Sequence, residues 1–202
     1  MSWNFLSKME RKCNGAGMKL KGVHHVEFSV LEYEESIKFY DKMFGWLGYK
    51  SFWTLDIGYR STYYVTSFFF FHSYIGIQPA KTGGKLQHND HETGIHHVAL
   101  WARSRKQVDE FYENFLRKNN VHVSETPAEY PVYAPGYYAV FFDDPITGIH
   151  WELAYTPLLP SISSYLKWKR ALKVAAQQRP EWKNIDDPLK AALRKLPTRR
   201  EQ

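Results

Sequence analysis

One short segment occurs twice in this chain, and it limits the fold more than any other feature. Gly22-Val23-His24-His25-Val26-Glu27-Phe28 returns as Gly94-Ile95-His96-His97-Val98-Ala99-Leu100. Each copy is followed by an amphipathic helical pattern. The first covers residues 34–44, with Ile37, Phe39, Tyr40, Met43 and Phe44 as its apolar positions. The second covers residues 105–118, with Val108, Phe111, Tyr112, Phe115 and Leu116. Apolar residues at these intervals mark helices that bury one face. His25 to Phe39 and His97 to Phe111 are the same 14-residue step. Such agreement marks a repeat. Aromatic, β-rich stretches come next, at 49–55, 61–71 and 74–78 in the first half and 122–126, 137–142 and 150–155 in the second. The unit therefore reads β-α-β-β-β twice, an α+β fold of paired modules whose sheets curve into an open cup. The repeats span about 20–79 and 94–156, joined by a polar linker over 79–93.

The ends differ from this body. Residues 1–19 read as an appended segment with a short helix around 3–11, a break at Asn14-Gly15-Ala16-Gly17, and Met18 as an alternative start. Residues 157–202 read as a basic helical extension. One helix is expected over 161–178, a stop at Pro180, and a second short helix from Asp187-Pro188 through Lys195. The extension leaves Leu166, Trp168 and Leu172 to pack against the cup or to seal a dimer.

Charge follows the same division. The net charge is +6, but residues 161–202 carry +7, residues 1–21 carry +4 and the body between them carries −5. A basic tail on an acidic body is not the footprint of a nucleic-acid-binding domain. No apolar run approaches the roughly 20 residues of a membrane span, and no secretory leader is legible at the start. The single cysteine, Cys13, excludes an intrachain disulfide and a cysteine zinc site. A cytoplasmic protein with no nucleic-acid or membrane partner is expected.

Strand alternation decides which side chains share a face. Val26, Phe28 and Val30 should pack under the first helix, turning His25, Glu27 and Ser29 the other way. In the second copy Val98, Leu100 and Ala102 face the core, while His97, Ala99 and Trp101 face out. Along 150–155, Trp151, Leu153 and Tyr155 alternate with His150, Glu152 and Ala154. His25, His97 and Glu152 thus share the non-core faces that line the cup. Two imidazoles and a carboxylate make a three-ligand metal site with open positions. His24 and His96, of opposite parity, belong with the packing face or at a strand mouth.

These residues carry a family resemblance. His24-His25-Val26-Glu27-Phe28-Ser29-Val30, then Ser36-Ile37-Lys38-Phe39-Tyr40 with Gly45, then Asp144-Pro145-Ile146-Thr147-Gly148-Ile149-His150-Trp151-Glu152-Leu153, resemble the vicinal oxygen chelate superfamily. That group includes glyoxalase I, bleomycin-resistance, fosfomycin-resistance and extradiol dioxygenase proteins. The resemblance covers about residues 20–156, as one glyoxalase-like domain. It implies the paired βαβββ cup and places metal ligands at His25, His97 and Glu152. The five-residue turn from Asp144 to Gly148 is one residue longer than the family's usual one, but Gly148 to Glu152 keeps its spacing. Glyoxalase I relatives take a fourth ligand from a position that falls here on Gly76, which has no side chain to ligate with. Gln78 shares its parity but is off register. Glu27 stands where the fosfomycin branch has a small hydroxyl residue. A three-ligand site closer to the dioxygenases is implied.

The resemblance implies one divalent ion, Fe, Mn, Ni, Co or Zn, and a small-molecule substrate that chelates it through neighbouring oxygens. The chemistry is dioxygenase-like or lyase/isomerase-like. The alternative is a bleomycin-resistance-type protein that binds a small molecule without turnover. Glu27 is the candidate general base, or equally a partner that orients a ligand histidine. His150 serves acid/base or orienting roles, or is an exposed turn histidine. Trp101, Tyr74, Tyr133 and Tyr137 are candidate pocket residues for a planar or apolar ligand. Arg60 is a candidate for a substrate carboxylate. Some relatives exchange repeats between chains, so a homodimer belongs to the expectation.

Overall fold

The computed structural model describes residues 23–56, 60–68, 71–88 and 94–178. The helices expected at 3–11 and 187–195 lie outside them. The chain divides into two compact units, Met1–Thr82 and Gly83–Gln202, and each holds one β-α-β-β-β module.

The first unit runs β1 (His25–Val30), α1 (Tyr33–Trp46), β2 (Lys50–Asp56), β3 (Arg60–Phe68) and β4 (Phe71–Pro79). Its sheet has the order β1-β4-β3-β2. β1 lies parallel to β4 and the other pairs are antiparallel. The alternation read from the sequence is what builds it: Phe28, Val30, Ile75 and Ile77 are buried on one face, as are Phe39, Tyr40, Met43 and Phe44 of α1. Tyr64 of β3 is buried too and donates its hydroxyl to Asp41 of α1 at 2.8 Å. The expected single strand over 61–71 is instead nearly all of β3 and the first residue of β4, which pair antiparallel down to Phe68 and Phe71.

The second unit runs β5 (Val98–Trp101), α2 (Arg105–Phe111), a π-helical turn (Tyr112–Leu116), β6 (Val123–Glu129), β7 (Tyr138–Asp143), β8 (His150–Tyr155) and α3 (Ile162–Gln178). Its sheet repeats the first, in the order β5-β8-β7-β6 with β5 parallel to β8. Ser104 caps α2 by accepting from the Gln107 amide, and the Gln107 side chain accepts from the Arg103 amide. This reciprocal arrangement satisfies helix-start donors. The helix expected to continue evenly to 118 widens after Phe111, where the Arg117 amide reaches back to Tyr112 O at 3.0 Å. Val108, Phe111, Leu116, Phe142, Trp151 and Leu153 are fully buried. Each contributes about 1.5–3 kcal/mol of apolar burial.

β8 runs between β5 and β7, so both its edges are paired, and five of its residues, His150 to Ala154, are buried. The turn before it is closed by Asp144, itself fully buried, whose carboxylate accepts from the amides of Ile146, Thr147 and Ile149. Gly148 holds φ +81° there, with Leu86 packed where a side chain would start. Only glycine takes that conformation without strain. α3 belongs to the second unit and buries Trp168, while Leu166 is half exposed. Among the described residues no helix is long and apolar enough to cross a membrane.

Candidate metal centre

In the first unit the β1/β4 register sets His25 opposite Tyr74, Glu27 opposite Gly76 and Ser29 opposite Gln78. These six share the face that α1 does not cover. Gln78 is committed to Ser29, whose hydroxyl accepts from its amide at 3.0 Å. Glu27 Oε1 accepts from the Ser61 hydroxyl at 2.6 Å and the Tyr63 hydroxyl at 3.2 Å. A Cβ at Gly76 would stand 2.9 Å from the Tyr63 ring and 3.0 Å from Glu27 Cγ. The position of the missing fourth ligand is therefore covered by the carboxylate of the neighbouring strand.

Arg60 does not join this group. It pairs with Glu34 of α1 and lies 5.4 Å over the Tyr33 ring. Its strand neighbour Ser61 is the one that turns toward Glu27.

In the second unit the row is reversed: Ala99 on β5 stands opposite Glu152 on β8. Glu152 is 3% exposed. Its Oε1 accepts from the Tyr137 hydroxyl at 2.5 Å, and its Oε2 lies 3.3 Å from His97 Nε2. Burial pushes the Glu152 carboxyl up from its ordinary value, against the Tyr137 hydrogen bond and the His97 and His150 rings, which favour the charged form. Burial first, then the bond to Glu152, pushes the Tyr137 phenol up as well.

His97 meets its neighbour through its other nitrogen. His96 Nδ1 and His97 Nδ1 are 2.8 Å apart, and His24 Nδ1 and His25 Nδ1 are 2.9 Å apart in the first unit. An imidazole–imidazole hydrogen bond needs one donor and one acceptor. His24 and His96 are exposed beside the strand starts, and strand parity alone does not show this shared contact.

Among the described residues no group of three His, Cys, Asp or Glu side chains is gathered to hold a metal ion. What the second unit brings together is a pair, and its spacing suits the donors. Two ligands about 2.1 Å from a divalent ion stand ~3.0 Å apart at a right angle and ~3.4 Å apart at the tetrahedral angle. The 3.3 Å between His97 Nε2 and Glu152 Oε2 falls within that span. His25, the third expected donor, belongs to the first unit.

The other aromatic candidates divide by depth. Tyr137 sits on Glu152. Tyr133 is 61% exposed, edge-on to Tyr137 at 5.5 Å and stacked on Tyr130 at 5.7 Å. Trp101 is 79% exposed, on the same sheet face as Ala99 and opposite Ala154. Tyr74 lies in the first unit across from His25, with its ring 5.3 Å from that of His24.

Some members escaped the sequence reading. Glu125 accepts from the Tyr130 hydroxyl at 2.7 Å. His150 is buried rather than an exposed turn histidine, its ring stacked with those of His88 and Phe141. Its Nδ1 lies 2.6 Å from Asp143, and the second oxygen of Asp143 lies 2.8 Å from His122 Nδ1. Burial raises the Asp143 carboxyl, but the two histidines outweigh it and the net displacement is downward. His88, from the segment ahead of β5, stacks on the His150 ring at 3.5 Å. The only sequence signal for these contacts was the number of histidines.

Comparison with known proteins agrees with this architecture. A glyoxalase candidate from Bacillus halodurans is 28% identical, with a TM-score of 0.53 over 71% of this chain and 99% of its own. A glyoxylase/bleomycin resistance protein/dioxygenase domain from Frankia sp. EAN1pec shares the fold at 16% identity and a TM-score of 0.52, over 69% of this chain and 100% of its own. A glyoxalase family protein from Enterococcus faecalis does so at 18% and 0.51, over 67% and 98%. No curated protein matches the chain. A family model matches residues 22–153, the two modules together. The chain belongs to the Glyoxalase/Bleomycin resistance protein/Dioxygenase superfamily.

Proposed function

We propose that the chain is a divalent-metal-dependent enzyme acting on a small molecule that offers two neighbouring oxygens. His97 and Glu152 hold the metal on the second unit. One observation carries this reading. His97 Nε2 and Glu152 Oε2 face each other at 3.3 Å, while His97 Nδ1 is engaged by His96 and Glu152 Oε1 by Tyr137. Each group is thus turned so that one donor atom is presented and the other is taken. The ion, when bound, polarises the chelating oxygens and stabilises negative charge that develops on them.

The chain's own residues supply the rest. Two hydroxyls occupy Glu27 Oε1, which leaves Oε2 as the oxygen that takes a proton from substrate; Glu27 is the proposed general base. Tyr137 sets the rotation of the Glu152 carboxylate. Trp101 and Tyr133, both exposed on the second unit, offer flat apolar surfaces to a planar substrate.

The test is metal content in the purified protein beside His97→Ala and Glu152→Ala. About one equivalent of metal, lost in both variants, is expected. Absence of metal after reconstitution, in folded protein, would leave a binding protein in place of an enzyme.

A further inference from the structure

Helix α3 begins after residue 153, where the family match ends, so neither the repeat nor the metal ligands account for it. Its stripe of less exposed positions, Ser164, Trp168, Leu172 and Ala175, recurs at helical spacing, and Trp168 is only 3% exposed. Two side chains show what it docks against. Lys167 Nζ lies 3.1 Å from Glu129 Oε2, and Glu129 Oε1 receives Arg105 at 2.5 Å. Arg105 also reaches the Gly136 carbonyl at 3.4 Å. A Cβ built on Gly136 would stand 2.9 Å from Pro157 and 3.6 Å from the Ser164 hydroxyl. Lys167 and Ser164 line a narrow cleft with Glu129, Pro131, Gly136 and Tyr137.

The residue after Gly136 is Tyr137, whose hydroxyl holds Glu152 Oε1. The loop is also tied to itself: the Tyr130 amide reaches Tyr137 O, the Tyr133 amide Tyr130 O, and the Tyr137 amide Ala134 O. A load on one part of such a loop is carried to the whole of it.

We propose that α3 braces the tyrosine loop, with Ser164 and Lys167 as positioning residues and the buried Trp168 as the anchor of the helix. It holds Tyr137 on Glu152 Oε1 and so keeps Oε2 turned to His97. The metal consequence rests on the function proposed above; the brace itself does not.

The experiment uses the full chain with Trp168→Ala, Tyr137→Phe and the double variant, read two ways. In metal-free protein, hydrogen exchange at the Tyr130, Tyr133 and Tyr137 amides should rise about tenfold or more in Trp168→Ala, with β7 and β8 unchanged, as for a local opening. Zn²⁺ affinity, by competition with a chromophoric chelator, should fall about tenfold in each single variant. The double variant should be no weaker than the weaker single, because both act through one contact. Faster exchange confined to 162–178, or losses that multiply in the double variant, would overturn the brace. If wild-type protein binds no Zn²⁺, the metal reading fails and the exchange result alone decides the brace. Lys167→Met, at an exposed position, gives the same readings should Trp168→Ala not fold.

Discussion

Glu27 lies across Gly76: its Cγ would stand 3.0 Å from any Cβ placed there. The two are register partners on β1 and β4. In the second unit the corresponding partners are Ala99 and Glu152, with the acid on the other strand. Each module therefore gives this row one carboxylate and one residue small enough to lie under it.

Gly76→Ala should cost about 1–2 kcal/mol, the usual penalty for forcing a methyl into filled space. Part of that should vanish in a Glu27→Ala background, since the methyl meets Glu27 Cγ at 3.0 Å as well as the Tyr63 ring at 2.9 Å. Denaturant unfolding of the two singles and the double checks it. Equal cost in both backgrounds would put the strain on the Tyr63 ring.

Asp144→Ala should be far more damaging, at about 3 kcal/mol, because it strands the buried amides of Thr147 and Ile149 and the half-buried one of Ile146 at once. Asp144→Asn should fall between wild type and alanine. The same unfolding curves decide, and a loss under about 1 kcal/mol would mean that the turn finds other acceptors.

The paired histidines predict a difference between two substitutions at one site. For His97 to present Nε2 as a ligand its Nδ1 must carry the proton, so His96 Nδ1 accepts it. His96→Asn keeps an acceptor near that point and should leave Zn²⁺ affinity near wild type. His96→Leu removes it and should weaken affinity about tenfold. The ¹⁵N spectrum of metal-free protein should show His97 as the Nδ1–H tautomer.

Hydrogen bonds from Arg105, then Lys167, hold the Glu129 carboxyl below the ordinary carboxylate value. A depressed folded-state value means that folding favours the charged form. Its contribution is complete above the unfolded value and is lost as pH falls through the folded one. Between about pH 5 and pH 3, the melting temperature of wild type should therefore fall further than that of Glu129→Gln. Parallel declines would show the Arg105–Glu129–Lys167 contact to be without weight.

Much of this fold was legible because its periods are distinct. Alternation at two residues put Phe28, Val30, Leu100 and Leu153 inside, and the helical period did the same for Tyr40 and Phe111. Parity likewise placed Glu27 and Gly76, or Ala99 and Glu152, on shared faces. Long-range facts were hidden. Nothing local to His150 tells that β8 is an inner strand, or that Asp143, at the far end of a turn, holds its ring. The division of 61–71 between β3 and β4 was hidden because apolar composition is the same on both sides of it. Of the three candidates for docking the C-terminal helix, Trp168 is buried and Leu166 is not, a choice made by tertiary contact rather than by pattern.

The reversed rows also constrain how such modules can change. Two acids placed directly across a strand pair repel each other, and here the first acid already fills the space of the second. Gly76→Glu alone would be penalised twice, by crowding and by charge, whereas after Glu27→Ala the same step meets only the Tyr63 ring. Moving an acid from one strand to its neighbour is thus a two-step path with an obligatory order, and the modules that carry Glu27 and Glu152 stand at its opposite ends.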